Sequence, residues 1–195
     1  MQESAVVLEA APPKEVADEP KPRPTCSEKH RATLKHVAAS GLLAFIGTGV
    51  LSLLHFAITD QHDFTLIFGS FGASAVLLYG APSVPFSQPR NCVGGHLVSC
   101  FVGVACHELF SVPLGSPWLS VPLGASFALM AMQLTGTVHP PAGGTVLIAV
   151  LGSQRLHAMG FGLLLPTLIG AVLLVAVAML NNVVPGRKKY PQRWL

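Results

Sequence analysis

Long apolar segments alternate with short polar connections over most of this chain. A helix needs about 20 apolar residues to cross the hydrocarbon of a bilayer, and all but one of six such segments approach or exceed that length. The fifth segment is too short to cross alone, so it either starts from a turn deep in the membrane or re-enters. The pattern predicts an all-α polytopic membrane protein. Its predicted segments are Val37–Ile58, Phe64–Ala81, Cys92–Val112, Leu119–Val138, Pro141–Gly152 and Gly160–Val184.

Composition strengthens this prediction. Hydrophobic residues make up 51% of the chain and charged residues 11%, whereas globular proteins average about 25% charged residues. Residues 37–184 carry five charged side chains: Asp60, Asp63, Arg90, Glu108 and Arg155. A water-soluble domain of this size needs more charge on its surface. The counts argue against a globular cytosolic protein, a nucleic-acid binder and a disordered chain, and they make the lipid bilayer the expected surrounding.

The two ends of the chain differ from its middle. Residues 1–36 are rich in proline and mixed charge, which predicts a disordered tail, and residues 185–195 form a short basic tail. Basic residues precede the first segment and follow the last, so the positive-inside rule places both tails in the cytoplasm or a plastid stroma. An even number of crossings follows; six is favoured over four. The membrane itself is left open between the plasma membrane and an organelle such as the chloroplast.

The two halves of the apolar region resemble each other. Phe71–Leu78 (FGASAVLL) aligns with Pro141–Ile148 (PAGGTVLI), and each run lies between longer segments. This predicts two three-segment repeats, 37–112 and 119–184, the second inverted relative to the first, with short or re-entrant half-helices at segments two and five. Interrupted segments at matching positions of inverted repeats indicate a transporter's binding site. Chance alignment of small and aliphatic residues is the alternative.

The strongest local motif is the stretch from Gly136 to Thr145, GTVHPPAGGT. Proline is costly inside a helix but suits a first turn, and the residue before proline is pushed away from helical geometry. Segment four is therefore expected to end near His139, and a short helix to begin at Pro140 or Pro141. The unpaired N–H groups of a helix N-terminus favour anions. The counterpart in the first half, Gly69–Ser74, is expected to present free N–H groups as well.

Two interpretations of these glycines stay open. One is a cavity at membrane depth, because irregular backbone there is tolerated where it lines a cavity or is buried in protein. The other is close helix packing. His139 is a functional candidate because ionisable residues are costly in lipid; it is expected to donate to an anion, to carry a proton in a symport step, or to cap freed carbonyls while neutral.

These residues resemble the signature of a known family. The His139-Pro140-Pro141 run with its Ala-Gly-Gly-Thr continuation is similar to the signature of the HPP family of integral membrane proteins, and the run GSFGASAVLLYGAPSVPFSQPRNCVGGHLVS in the first half resembles that family's other shared block. Plant and cyanobacterial relatives are implicated in nitrite transport, so the resemblance implies nitrite as the leading substrate. Arg90 and His96 fall in the second block and are expected to attract anions or to anchor segment three.

Together these features predict a transporter or channel for a small inorganic anion, with a non-transporting membrane scaffold or assembly subunit as the alternative. No convergent nucleophile and base is visible, so no enzyme is predicted. Cys92, Cys100 and Cys106 are interpreted as small membrane-helix residues without a CxxC pair, so no metal site is predicted, and no cofactor is predicted either. A homo-oligomer is expected because the unit is small. The predicted binding residues are Ser70, Gly72, Ala73, Ser74, His139, Pro140, Pro141, Gly143, Gly144 and Thr145.

Overall fold

The computed structural model describes residues 26–58, 65–115 and 117–194, and in these ranges the regular structure is helical. Most of the predicted tail, residues 1–25, lies outside the described residues. Residues 26–36 were predicted to belong to the same disordered tail, and this is wrong because they form the start of the first helix. The helices are α1 (Cys26–Ile58), α2 (Thr65–Gly80), α3 (Pro89–Cys106), α4 (Val112–Leu114), α5 (Ser120–Thr135), α6 (Ala142–Leu151), α7 (Gln154–Met159) and α8 (Leu164–Met179).

Among the described residues, three helical stretches are long and apolar enough to cross a membrane: Leu34–Leu54, Pro89–Leu114 and Gln154–Val183. The second stretch joins α3 to α4 through a π-helical turn, His107–Ser111, and the third joins α7 and α8 through a short 3₁₀ turn. The helices α5 and α6 are apolar but shorter. The prediction of a polytopic all-helical membrane protein is confirmed, whereas the six-segment repeat stays a prediction.

The predicted break between the fourth and fifth segments is present, although the preceding helix ends at Thr135 rather than near His139. The helix α5 ends at Thr135 because Gly136 adopts a left-handed conformation with φ 64°, and the N–H of Thr137 then donates to the carbonyl of Met132 at 2.8 Å. This pattern caps the last turn of a helix. Three residues without regular secondary structure, 137–139, lead into a turn at the two prolines, and α6 begins at Ala142. We call residues 136–141 the proline break.

No matching break interrupts the second segment. The helix α2 runs continuously from Thr65 to Gly80, so the half-helix predicted at Gly69–Ser74 is wrong. Small residues are compatible with an unbroken helix in a membrane protein, where they let helices approach closely, and no proline forces a break here. The N–H groups of Gly72 and Ala73 lie in the middle of this helix and take part in its backbone hydrogen bonds.

Helix directions follow from a few contacts. The guanidinium of Arg90 at the start of α3 donates to the carbonyl of Thr135 at the end of α5, at 2.7 Å, so these two helices are antiparallel. The side chains of Ser111 and Ser120 meet at the other end of the same pair, at 2.7 Å. Because Gly95 lies against His139 and Gly103 lies against Ala149, α6 runs parallel to α3.

The C-terminal residues fold back onto the bundle rather than leaving it. Arg187 donates to the hydroxyl of Ser40 at 2.8 Å and to the carbonyl of Tyr79 at 2.6 Å. The phenol of Tyr190, 1% exposed, donates to the carbonyl of Ser87 at 2.8 Å. These contacts bring the early part of α1, the end of α2 and the chain's last residues to one end of the bundle. We call it the tail end.

Removing the Tyr190 hydroxyl is expected to loosen this tail. Burial raises the pKa of Tyr190, so its hydroxyl stays protonated and continues to donate over the ordinary pH range. Tyr190→Phe leaves the buried carbonyl of Ser87 with one partner fewer, which costs about 1–3 kcal/mol. The thermal unfolding midpoint in detergent should fall accordingly. Trp194→Phe, which changes an exposed aromatic of the same tail, is the control; an equal decrease there would contradict the role of this bond.

Candidate functional site

Two histidines from distant parts of the sequence meet at one serine inside the bundle. The hydroxyl oxygen of Ser74 on α2 lies 2.8 Å from Nε2 of His96 on α3 and 2.9 Å from Nε2 of His139 in the proline break. All three side chains are 0% exposed. The two imidazole rings are 5.0 Å apart between centroids and inclined at 62°. We call His96 and His139 the histidine pair.

The far nitrogen of each imidazole is also held. Nδ1 of His139 lies 2.8 Å from the carbonyl oxygen of Phe86, and because a carbonyl can only accept, this nitrogen carries a hydrogen. Nδ1 of His96 lies 2.7 Å from the hydroxyl of Thr145 on α6, which in turn lies 3.1 Å from the hydroxyl of Ser70. The result is a chain of polar contacts across α2, α3, α6 and the proline break.

Two adjacent glycines of α3 let the proline break approach this closely. A Cβ atom on Gly95 would lie 2.7 Å from Cβ of His139 and 2.8 Å from the carbonyl oxygen of Thr137, and a Cβ on Gly94 would lie 2.6 Å from Cγ2 of Thr137. The side chain of Asn91, one turn earlier, donates to the carbonyl of Val138 at 2.8 Å. Thus α3 offers both the space and a hydrogen-bond donor that fix residues 137–139 before the prolines.

The free amides predicted at the start of α6 are absent from this structure. The N–H groups of Ala142, Gly143 and Gly144 donate to the carbonyls of His139, Pro140 and Pro141, at 2.9, 3.0 and 3.0 Å. The tight turn that the prolines impose therefore uses the donors that would otherwise face a ligand. Together with the unbroken α2, this corrects the prediction of two opposed helix N-termini. The polar groups that converge are side chains.

The predicted residues fall into two groups. One group is brought together: Ser70, Ser74, His96, His139 and Thr145 are buried in the network, and Gly144 packs beside Ser70, whose Cβ would be 3.2 Å from an added Cβ. The other group lies outside it. Around Gly72 and Gly143 the space for a side chain is open, while Ala73, Pro140 and Pro141 line an apolar surface groove of about 570 Å³.

Arg90 lies at a second feature, a cavity of about 360 Å³ at the tail end that is lined by both polar and apolar groups. We call it the mouth. Asn91, which lines the mouth, also donates to the carbonyl of Val138, the residue before His139. Arg90 and Arg193 both line the mouth, together with Gly136 of the proline break. The mouth is lined by Pro85, Gln88, Arg90, Asn91, Gly136, Gln192 and Arg193.

Sequence reasoning missed three contributors. Phe86 acts through its backbone carbonyl, which has no sequence signature, and Arg193 joins the mouth only because the tail folds back. Cys92 was interpreted as a small membrane-helix residue. It is buried one turn before His96, and its Sγ lies with the nitrogens of the histidine pair within 4.8 Å of one another. Its four-residue spacing from His96 was the available signal.

These three side chains are the ones that could hold a metal. One thiolate and two imidazoles form a donor set that suits soft or borderline ions such as Cu(I) or Zn²⁺, and the carbonyl of Phe86 and hydroxyl of Thr145 would orient the two rings as outer partners do. The Ser74 hydroxyl, however, already lies within hydrogen-bond distance of both Nε2 atoms. A metal would have to displace it.

The fold and this buried site define a polytopic helical membrane protein with a polar centre, and comparison with known proteins identifies its family. The chain matches the family described as HPP, transmembrane region, over residues 29–191, and it belongs to that family. The resemblance seen in the two sequence blocks is thus confirmed.

Two curated relatives are transmembrane proteins of Dictyostelium discoideum. One is 35% identical over 164 residues, covering 84% of this chain and 53% of the relative. The other is 32% identical over 161 residues, covering 83% of this chain and 56% of the relative. This chain therefore spans about half the length of these relatives. No solved structure shows a significant match.

Proposed function

We propose that this HPP-family protein transports a small inorganic anion across the membrane, with nitrite as the leading candidate. The observation that carries the proposal is the histidine pair meeting at Ser74, fully buried among apolar helices. Burying such groups in a bilayer is costly, and ionisable residues placed there mark ion and proton pathways. Nitrite is the proposed substrate because the family resemblance favours it over other anions of similar size.

The network supplies the chemistry that an anion needs. Hydroxyl and imidazole N–H groups donate hydrogen bonds. No lysine or arginine is among the buried side chains of the described residues, so a fixed positive charge does not hold the anion too tightly for release. The proposed ligands are side chains, Ser70, Ser74, Thr145 and the histidine pair, in place of the backbone amides that the sequence suggested. Binding an anion there means that it replaces some of the contacts now made between these groups.

The proposed route starts at the mouth. Arg90 and Arg193 raise the local anion concentration at the tail end by electrostatic attraction. From there the anion reaches the histidine pair when the contacts of Asn91 with Val138 and of His139 with Phe86 open, and the pathway is closed while these contacts are made. Alternate opening at the two ends would complete transport. By the positive-inside rule the tail end faces the cytoplasm or a stroma.

Flux measurements test the proposal. Purified protein in liposomes is expected to take up nitrite faster than protein-free liposomes, with nitrate and chloride as the comparison anions. Uptake no faster than that of protein-free vesicles, for all three anions, would overturn transport and favour the membrane-scaffold alternative.

Neutralising the arginines of the mouth is expected to slow entry. The double variant Arg90→Gln, Arg193→Gln should reduce the initial nitrite uptake rate about tenfold at low salt, the lower bound of electrostatic steering. The reduction should shrink as ionic strength rises because salt screens exposed charges. Lys189→Gln removes one charge from the same tail outside the mouth and is the control. A loss that is equal in Lys189→Gln, or independent of salt, would contradict steering by the mouth.

A further inference from the structure

We propose that Cys92, His96 and His139 bind one Cu(I) ion inside the bundle, in a three-coordinate site of one thiolate and two imidazoles. The site includes the histidine pair, but the inference goes beyond the proposed function because it requires no transport. Its basis is the position of the three donor groups, the contacts that hold the two rings, and the lack of carboxylates in the stretches that form the network.

The three donor groups come from two elements and meet away from water. Cys92 and His96 lie one helical turn apart on α3, and His139 belongs to the proline break. Each side chain is 0% exposed, and Sγ of Cys92 and one nitrogen of each ring lie within 4.8 Å of one another. Thiolate and imidazole bond an ion such as Zn²⁺ at about 2.0–2.3 Å, which puts the ligand atoms about 3.3–3.8 Å apart. Side-chain shifts of about 1 Å therefore close the site around an ion of this size.

Both imidazoles are held as metal-ligating histidines usually are. Nδ1 of His139 donates to the carbonyl of Phe86 at 2.8 Å, so a neutral His139 presents a lone pair on Nε2. Nδ1 of His96 lies 2.7 Å from the hydroxyl oxygen of Thr145, which can accept a hydrogen from it and leave a lone pair on Nε2 of His96 as well. An acceptor behind each ring fixes the ring's orientation and makes its other nitrogen a better ligand.

The thiol of Cys92 has no competing partner. Within residues 26–58, 65–115 and 117–194, no hydrogen bond is made to its Sγ. Cys100, two turns further along α3, differs because the hydroxyl of Thr167 contacts its Sγ at 3.6 Å. Metal binding replaces the thiol hydrogen of Cys92 by the ion and releases one proton to water. Cys92 is therefore the available donor that completes the set.

The Ser74 hydroxyl has another partner when an ion takes its place. Its oxygen lies 2.8 Å from Nε2 of His96 and 2.9 Å from Nε2 of His139, so both ring nitrogens converge on one point. The same hydroxyl also donates to the carbonyl of Ser70 at 3.0 Å. An ion that binds the two nitrogens leaves this bond in place. Displacement of Ser74 therefore creates no unpaired buried donor, which would be costly.

The charge of the surroundings favours a monovalent ion. Residues 65–106 and 136–151 supply every group of the network, and they contain no Asp or Glu. Cu(I) with one thiolate forms a neutral centre, whereas Zn²⁺ with the same ligands keeps one uncompensated positive charge. Such a charge is costly in a dry interior, and thiolate ligands select Cu(I) among the available metals.

Metal binding to the purified protein in detergent tests the proposal. Under anaerobic conditions the protein is added to Cu(I) held by the coloured competitor bicinchoninate, and the loss of colour measures the Cu(I) that the protein takes. We expect one Cu(I) per chain, and we expect Zn²⁺, measured with a zinc indicator, to bind at least about 100-fold more weakly. No Cu(I) taken from the competitor, or Zn²⁺ bound as tightly as Cu(I), would overturn the proposal.

Matched cysteine variants locate the ion. Cys92→Ser should lower the affinity for Cu(I) by more than about 100-fold, which is the upper cost of losing an outer partner of a metal site. Cys100→Ser is the control, since Cys100 lies on the same helix, is equally buried and stands outside the donor set. Elution from a sizing column checks the folding of each variant. Wild-type affinity in Cys92→Ser, or an equal loss in Cys100→Ser, would contradict the site.

X-ray absorption of the Cu(I)-loaded wild type identifies the ligands without any substitution. The expected spectrum shows one sulfur and two imidazole nitrogens around copper. Two or more sulfur ligands, or no imidazole scattering, would overturn the assignment. These measurements need no anion gradient, so they are independent of the flux experiment. Absence of nitrite flux would overturn anion transport alone, and absence of Cu(I) binding would overturn the metal site alone.

Discussion

Gly95→Ala is expected to reduce nitrite flux about 100-fold while leaving the protein folded. A Cβ at this position would lie 2.7 Å from Cβ of His139 and 2.8 Å from the carbonyl of Thr137, so the proline break has to move away from α3. His139 then loses its alignment with Ser74 and with the Phe86 carbonyl, which it now contacts at 2.9 and 2.8 Å. Displacing a working group by about 1 Å costs about 100-fold in rate at catalytic sites, and we expect a similar loss here.

Gly143→Ala is the matched control for this prediction. It adds the same methyl group four residues after His139, but at Gly143 no neighbouring atom lies within 4 Å of the new Cβ. Initial uptake rates in liposomes, normalised to the reconstituted protein, provide the comparison. Equal loss in both variants would mean that glycine flexibility, rather than the position of His139, sets the rate. Full activity of Gly95→Ala would remove the histidine pair from the pathway.

The proline break was predictable because its causes are local. Two successive prolines restrict their own backbone and that of the residue before them, so the end of one helix and the start of a short one follow from three residues. The hydrogen-bond partners of the N–H groups at the start of α6 were not predictable in this way. Their partners are the carbonyls of the same turn, and whether a turn closes tightly enough to use them depends on how α3 packs against it.

The error at α2 has a different origin. The run around Gly72 resembles the stretch after the prolines, and similarity of sequence suggested similarity of structure. Only one of the two runs contains proline, however, and small residues alone leave a helix intact. The alignment nevertheless pointed to related places, since Ser70 and Ser74 of α2 face Thr145 of α6 and His139 through the network.

The partners within the site needed three dimensions. His139, Ser74 and Thr145 were selected for their chemistry and depth, and His96 was given a role near the site without a partner. The contact between His96 and Thr145, 49 positions apart, arises because α3 and α6 run parallel. Cys92 and the Phe86 carbonyl carry no motif at all. Sequence identifies which polar residues are costly in a membrane, whereas packing decides which of them meet.

Gly103→Val is expected to be the most destabilising single change in the membrane region. A Cβ at Gly103 would lie 2.7 Å from Cβ of Ala149 and 2.9 and 3.1 Å from the backbone O and Cα of Val146. Because backbone atoms cannot swing aside as the end of a side chain can, the larger valine has to push α3 and α6 apart. Overpacking costs about 3 kcal/mol at the upper end of its usual range, which should appear as a lower unfolding midpoint in mixed detergent and SDS.

Gly49→Val separates this clash from the general effect of replacing a helical glycine. Gly49 lies inside α1, and no atom lies within 4 Å of a Cβ built on it, so the change alters helix propensity without crowding a neighbour. Its midpoint should stay close to that of the wild type. A large loss in Gly49→Val, or none in Gly103→Val, would contradict close packing of α3 on α6. The same pair of helices carries His96 and Thr145, so glycine packing at Gly103 and polar contact at the site are two consequences of one interface.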